Sequence, residues 1–243
     1  MLEKIEGFIL SETPYGETSK IINVLTKEHG LVGVLAKGAK SVKSKFRATT
    51  GKYNYINLEI YYKDNKLSTL VSCDAINPLK RIRSDLTLIS YITYISDLVY
   101  QVIKQSSDKT IYDLLISTIL KIEDGLDPGI LTNILEIKLL KYLGVDINLD
   151  SCAICGNNKN IVTIDGSRGG LICTSCYVNE KIVSIKSIKI LRMYYYVDIS
   201  SIATLNIEKQ VQDEIDQFIN AYYEDFTGIY IQSKKFLKNI VSI

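Results

Sequence analysis

The first 77 residues carry the short and alternating apolar runs that are typical of β-strands. These runs are GFILSE (7–12), LVGVLA (31–36), YNYINLEIYY (53–62) and LSTLVSCDA (67–75). A helical turn is predicted around residues 19–27, with Gly30 as its stop. Because closing about five short strands on one another removes exposed sheet edges, the pattern predicts a small closed barrel.

Helical periodicity replaces this pattern after Asn77–Pro78, and apolar residues then recur three and four positions apart. The apolar stripes span residues 88–102, 114–122, 131–143 and 207–222. Gly144 and Gly228 follow the last two stripes as stop signals. The sequence therefore predicts an α+β protein, with a barrel domain over residues 1–79 and a helical domain over residues 80–243.

The most apolar segment, residues 86–103, is interpreted as a buried amphipathic helix. Polar residues such as Ser90, Asp97 and Gln101 interrupt it, which argues against a membrane span. The N-terminal residues alternate charged and apolar positions and do not resemble a secretory signal. We therefore expect a cytoplasmic protein with no membrane partner, in a reducing compartment that favours metal binding over disulfides.

Four of the five cysteines form two Cys-x-x-Cys pairs that are separated by seventeen residues. They are Cys152, Cys155, Cys173 and Cys176. The intervening NIVTID and GGLIC runs predict two strands joined by a glycine-rich bend, so that the pairs meet at one end of a hairpin. This spacing is typical of a zinc ribbon, here at about residues 150–180. One structural zinc ion is expected.

Catalysis by this cluster is not expected, because a closed four-thiolate site offers no position for substrate. A redox switch stays open as the alternative, since each Cys-x-x-Cys pair could close a disulfide. The fifth cysteine, Cys73, is expected to be a small buried apolar residue.

The net charge of +2 conceals a basic N-terminal third. Residues 1–83 contain 14 Lys and Arg against 8 Asp and Glu. The candidate DNA-binding residues are Lys37, Lys40, Lys43, Lys45, Arg47 and Lys52, followed by Lys80, Arg81 and Arg83. Phe46, Tyr53 and Tyr55 accompany them as candidate stacking rings. Lysines that neutralise phosphates and rings that stack on bases indicate single-stranded nucleic acid binding, with a solvated lysine-rich loop as the alternative.

Motifs of common enzymes are missing from the chain. It contains no GxxxxGK[ST], GxGxxG, HExxH or GxSxG motif, and His29 is the only histidine. We therefore expect a protein that is not an enzyme. A zinc-ribbon adaptor in transcription or translation, whose barrel binds RNA or a protein, stays open as a second class.

Three stretches of the chain are distinctive in their order and separation. The first is GFILSETPYGETSKIINVLTKEHGLVGVLAKGAKSVKSKFR. The second is the cysteine ribbon with Gly-Gly before its second pair, and the third is the C-terminal FINAYYEDFTGIYIQSKKFL. Together they resemble the RecO family of bacterial recombination mediators. The chain departs from the family where GKYNYINLEIYY follows the basic stretch.

The resemblance implies an OB-fold (oligonucleotide/oligosaccharide-binding) barrel followed by a helical domain that carries the zinc ribbon. It implies binding of single- and double-stranded DNA, annealing of complementary strands, and loading of RecA onto DNA coated by single-strand-binding protein. The implied partners are RecR, in some members RecF, and the C-terminal tail of single-strand-binding protein, with RecA engaged indirectly at the nucleoid.

Overall fold

The computed structural model describes residues 1–241. The chain forms two compact units. The first comprises Met1–Glu123 together with residues 233–241, and the second comprises Asp124–Gln232. The C-terminal segment thus belongs to the same unit as the N-terminal barrel.

Five strands form a closed barrel in the order β1-β2-β3-β5-β4, as the pattern predicts. They are β1 (Leu2–Tyr15), β2 (Ser19–Thr26), β3 (Gly30–Ala36), β4 (Tyr55–Tyr61) and β5 (Ser68–Asn77). Neighbouring strands are antiparallel except β3 and β5, which pair in parallel. Inward-facing aliphatic residues such as Ile22, Val34 and Ile56 are fully buried and form the barrel core. The OB-type barrel is confirmed.

The helical turn predicted around residues 19–27 is wrong, because this segment is strand β2. Its side chains alternate between buried and half-buried positions, and it pairs with both β1 and β3. Gly30 does adopt a left-handed conformation, at φ +66°, but it closes the β2–β3 turn. The apolar run IINVL fits both the periodicity of a helix and that of a strand, so only pairing with neighbouring strands decides its structure.

Seven helices lie within the described residues. They are α1 (Lys80–Ser84), α2 (Leu86–Val102), α3 (Thr110–Glu123), α4 (Pro128–Leu139), α5 (Ile185–Tyr196), α6 (Lys209–Phe226) and α7 (Gln232–Val241). The four predicted stripes correspond to α2, α3, α4 and α6, while α1, α5 and α7 were not predicted. No helix within residues 1–241 is both long enough and apolar enough to cross a membrane.

A half-buried carboxylate joins the barrel to α3 in the first unit. Glu6 of β1 accepts hydrogen bonds from the hydroxyls of Tyr55 and Tyr112, the latter at 2.5 Å. Burial, followed by the hydrogen bond to Glu6, raises the pKa of Tyr55 to about 12 and raises the pKa of Tyr112 as well. Both phenols therefore stay protonated as donors and fix α3 against β1 and β4.

The second unit is built around α4, which Asp127 caps by accepting a hydrogen bond from the Ile130 amide at 2.9 Å. A 3-10 turn, Leu140–Leu143, extends the helix and ends at Gly144, which has φ +72°. Helix α6 packs on α4, and the hydroxyl of its Tyr223 donates to the Glu136 carbonyl at 2.8 Å.

Candidate metal centre and nucleic-acid interface

The structure brings the four predicted cysteine ligands together. Their sulfur atoms all lie within 4.8 Å of one another, and the sulfurs of Cys155 and Cys173 are 3.6 Å apart. Four thiolates at about 2.3 Å from a central zinc ion would lie about 3.8 Å from each other. The donor set and its spacing therefore fit a tetrahedral metal ion.

A two-stranded hairpin positions these ligands. Strand β6 (Ile161–Asp165) pairs antiparallel with β7 (Gly170–Cys173), as predicted. Each cysteine pair forms a tight turn, in which the Gly156 amide donates to the Cys152 carbonyl and the Cys176 amide donates to the Cys173 carbonyl, at 2.9 and 3.1 Å. Gly156 has φ +73°, a conformation that glycine adopts without strain.

The electrostatics of the cluster favour a cation. Burial would raise the pKa of Cys152, but backbone amides of Cys155, Cys173 and Ile154 donate to its sulfur and lower the pKa to about 6. Hydrogen bonding to Cys155, with burial and the charge on Cys152, raises the pKa of Cys176 to about 12. Four adjacent sulfurs cannot all be thiolates unless a positive charge compensates them, which is what a metal ion provides.

An ion pair fixes the second cysteine turn to the hairpin bend. The Arg168 guanidinium donates to the Cys176 carbonyl at 3.1 Å and pairs with the buried carboxylate of Glu180. The other oxygen of Glu180 accepts from the backbone amides of Val178 and Asn179. Sequence reasoning missed this pair, because no short motif connects Arg168 to Glu180.

The basic segment, residues 37–54, is a structured series of turns between β3 and β4. Its own hydrogen bonds hold it: the Asn54 side chain donates to the carbonyls of Ala48 and Gly51, and the Thr50 hydroxyl donates to the Phe46 carbonyl. All six predicted basic residues of this segment are exposed. The segment therefore presents an array of cations on an ordered backbone.

The three basic residues of α1 are also exposed, but two of them form structural contacts. The Arg81 guanidinium donates to the Ile122 carbonyl at 2.9 Å. The Arg83 guanidinium donates to Asn54 Oδ1 at 2.6 Å and to the carbonyls of Tyr53 and Pro78. Arg83 thus holds the end of the basic segment in place, while the ammonium group of Lys80 stays available to solvent.

The three candidate stacking rings are packed against the protein; two lie in the basic segment, and Tyr55 is the first residue of β4. Phe46 is half-buried against the barrel core, and Tyr55 is buried with its hydroxyl on Glu6. Tyr53 is half-buried at φ +62°, and burial raises its pKa. Exposed rings instead occur at Tyr15 and Tyr61, each 54% exposed. Pro14 and Gly16 are typical turn residues, and they place Tyr15 at a hairpin tip. This signal could have predicted from the sequence that the Tyr15 ring is exposed.

Cys73 is half-buried in β5, less enclosed than predicted, and its sulfur lies 2.8 Å from the Thr49 hydroxyl. All five cysteines of the chain are free thiols in the structure.

Comparison with known proteins covers the whole chain. The family Recombination protein O N terminal matches residues 1–79, and Recombination protein O C terminal matches residues 83–235. The chain is 32% identical to "DNA repair protein RecO" of Bacillus pumilus strain SAFR-032 and 30% identical to that of Bacillus subtilis strain 168, with 100% of this chain and 96% of each relative covered. It is 29% identical to that of Listeria monocytogenes serotype 4a, with 98% and 95% covered. The chain therefore belongs to the RecO family of DNA repair proteins.

Proposed function

We propose that this protein binds single- and double-stranded DNA, anneals complementary strands and helps to load RecA onto DNA coated by single-strand-binding protein. The observation that carries the proposal is the basic segment, which exposes six basic side chains and contains no acidic residue. Membership of the RecO family, whose relatives are named DNA repair proteins, supports DNA as the polyanion.

The chemistry of annealing requires only that repulsion between two phosphate backbones is lowered. Lysines that replace condensed counterions on DNA supply this neutralisation, and the release of those counterions drives binding. Nucleotide hydrolysis is not needed for that step, and the chain carries no phosphate-binding loop. The protein acts as a non-enzymatic mediator in this proposal.

We propose that one zinc ion is held by Cys152, Cys155, Cys173 and Cys176 as a structural cofactor. A hairpin as short as β6–β7 is marginal in water by itself, and four metal bonds stabilise it when the ion is bound. The exposed basic residues of the barrel would then act on DNA without any catalytic contribution from the metal.

The proposed protein partners are RecR, RecF and the C-terminal tail of single-strand-binding protein, and the site of action is the nucleoid in the cytoplasm. Membership of the RecO family supports these partners.

Titration with labelled oligonucleotides tests this proposal. We expect tight binding of single-stranded DNA and faster annealing of complementary strands in the absence of nucleotide. The matched comparison is RNA of the same length and sequence. A strong preference for RNA would favour an adaptor in transcription or translation, and no binding of either nucleic acid would refute the proposal.

A further inference from the structure

The C-terminal helix α7 belongs to the barrel unit, although the sequence assigns it to the helical domain. Two contacts with α2 and one buried side chain fix it there. The Ser233 hydroxyl donates to Asp97 Oδ2 of α2 at 2.6 Å, and the Lys234 ammonium lies 5.2 Å from the centre of the Tyr94 ring. Leu237 is the buried apolar residue of the helix. Helix α7 is therefore placed by residues of α2.

Helix α7 is strongly cationic. It carries Lys234, Lys235 and Lys238 and no acidic residue, and Lys235 and Lys238 are exposed. With residues 233–241 included, the barrel unit has 20 Lys and Arg against 13 Asp and Glu, whereas residues 124–232 have 9 against 14. The structural division thus separates a basic unit from an acidic one more sharply than the sequence boundary does.

The basic segment and α7 meet adjacent turns of α2. The phenol group of Tyr53, which follows Lys52, interacts with Thr93. Asp97, four residues further along α2, accepts the hydrogen bond from Ser233 at the start of α7. Residues four apart lie on the same face of a helix. The end of the basic segment and the first turn of α7 therefore lie side by side on one face of α2.

From this placement we propose that α7 is a second phosphate-binding element that extends the path of a DNA strand beyond the basic segment. The inference rests on the proposed DNA-binding function and adds a surface to it. A strand leaving the segment near Lys52 would cross α2 and reach Lys235 and Lys238. A basic amphipathic helix suits both DNA and an anionic membrane, and the continuity with the basic segment favours DNA.

The test compares two triple variants that remove the same charge. One changes Lys234, Lys235 and Lys238 to Gln, and the control changes three exposed lysines of the other unit to Gln. The control residues are Lys141, Lys189 and Lys209. Gln has a helix propensity close to that of Lys, so both variants keep their helices.

Binding is measured with poly-dT oligonucleotides of about 8 and about 30 nucleotides, because OB barrels cover roughly 4–16 nucleotides. The α7 variant should bind the long oligonucleotide roughly 10- to 50-fold more weakly than wild type near 0.15 M salt, with a salt slope smaller by about 2. Binding of the short oligonucleotide should change little. A double variant, Lys235→Gln with Lys238→Gln, leaves the Lys234–Tyr94 contact intact and should lower the slope by about 1.4.

Equal binding of the long oligonucleotide by the α7 variant and its control would overturn the inference. If substitution of Lys43, Lys45 and Arg47 still weakened binding in that case, the proposed function would stand without the α7 surface. Loss of binding to phosphatidylserine vesicles without any change in DNA binding would identify α7 as a membrane-binding helix instead. Wild-type protein that binds no DNA would refute the proposed function and this inference together.

Discussion

Gly166, in the bend of the β6–β7 hairpin, lies directly against the backbone of α6. A Cβ atom added at this position would lie 2.2 Å from the Phe218 carbonyl oxygen and 2.8 Å from both the Tyr222 amide nitrogen and the Ala221 Cβ. No flexible side chain can rotate away to make room, since two of these three atoms belong to the helix backbone. Gly166→Ala must therefore move the hairpin relative to α6.

The expected cost follows from these distances. Relieving the contact to the Phe218 oxygen requires a shift of about 1 Å, and overpacking of this kind costs about 1–3 kcal/mol in a well-packed interior. We expect Gly166→Ala to lie at the upper end of that range. The four cysteines are unchanged, so the bound metal should stay close to one ion per chain.

Urea unfolding and hydrogen exchange of the metal-loaded protein measure this effect. The control is Gly51→Ala, because a Cβ at Gly51 meets its nearest neighbour, the Asn54 side-chain nitrogen, at 3.5 Å, an ordinary contact. We expect the Gly166 variant to lose about 3 kcal/mol and to exchange faster in β6, β7 and α6, while the Gly51 variant changes by less than about 0.5 kcal/mol. Equal stability of the two variants would refute the packing of the hairpin on α6.

Three further predictions concern the cysteine cluster and the buried tyrosines. Cys152→Ala should release the metal, measured by elemental analysis, whereas Cys73→Ala should retain it; retention by both would remove Cys152 from the ligand set. Tyr112→Phe removes a donor to Glu6 and should cost about 1.5–3 kcal/mol at neutral pH, measured by urea unfolding, and no loss would contradict this hydrogen bond. The pKa of Tyr55 in the folded protein is raised to about 12, so its protonated phenol contributes fully to the free energy of unfolding below pH 10. That contribution is lost as the pH rises toward 12. A free energy of unfolding that stays constant between pH 10 and pH 12 would contradict the raised pKa.

The barrel and the metal cluster were predictable because their signals are local. Strand alternation and Gly–Asn turns predict four of the barrel strands, and the Cys-x-x-Cys spacing predicts the hairpin ligands. Strand β2 was mistaken for a helical turn because IINVL fits both helical and strand periodicity. Its secondary structure depends on pairing with β1 and β3. Helix α5 was missed because its buried face is narrow, with Ser187, Ile188, Leu191 and Tyr194 as its buried residues.

Placement across long sequence separations could not be predicted. Nothing local indicates that Ser233 donates to Asp97, or that Arg83 holds the backbone at Tyr53. The same applies to the candidate stacking rings, whose burial depends on partners such as Glu6 and Thr93. Sequence reasoning identified the chemistry of the surface, while tertiary packing determines which side chains remain available to bind.

The salt dependence of single-stranded DNA binding tests the central claim most directly. If the six basic residues of the segment engage the phosphates of an oligonucleotide of about 8 nucleotides, which is too short to reach α7, log affinity should fall against log salt with a slope of about −4 for wild type. Changing Lys43, Lys45 and Arg47 to Gln should reduce this slope to about −2, while the control variant of Lys141, Lys189 and Lys209 keeps the wild-type slope. A loop variant with the same slope and affinity as wild type would contradict the assignment of DNA binding to the basic segment.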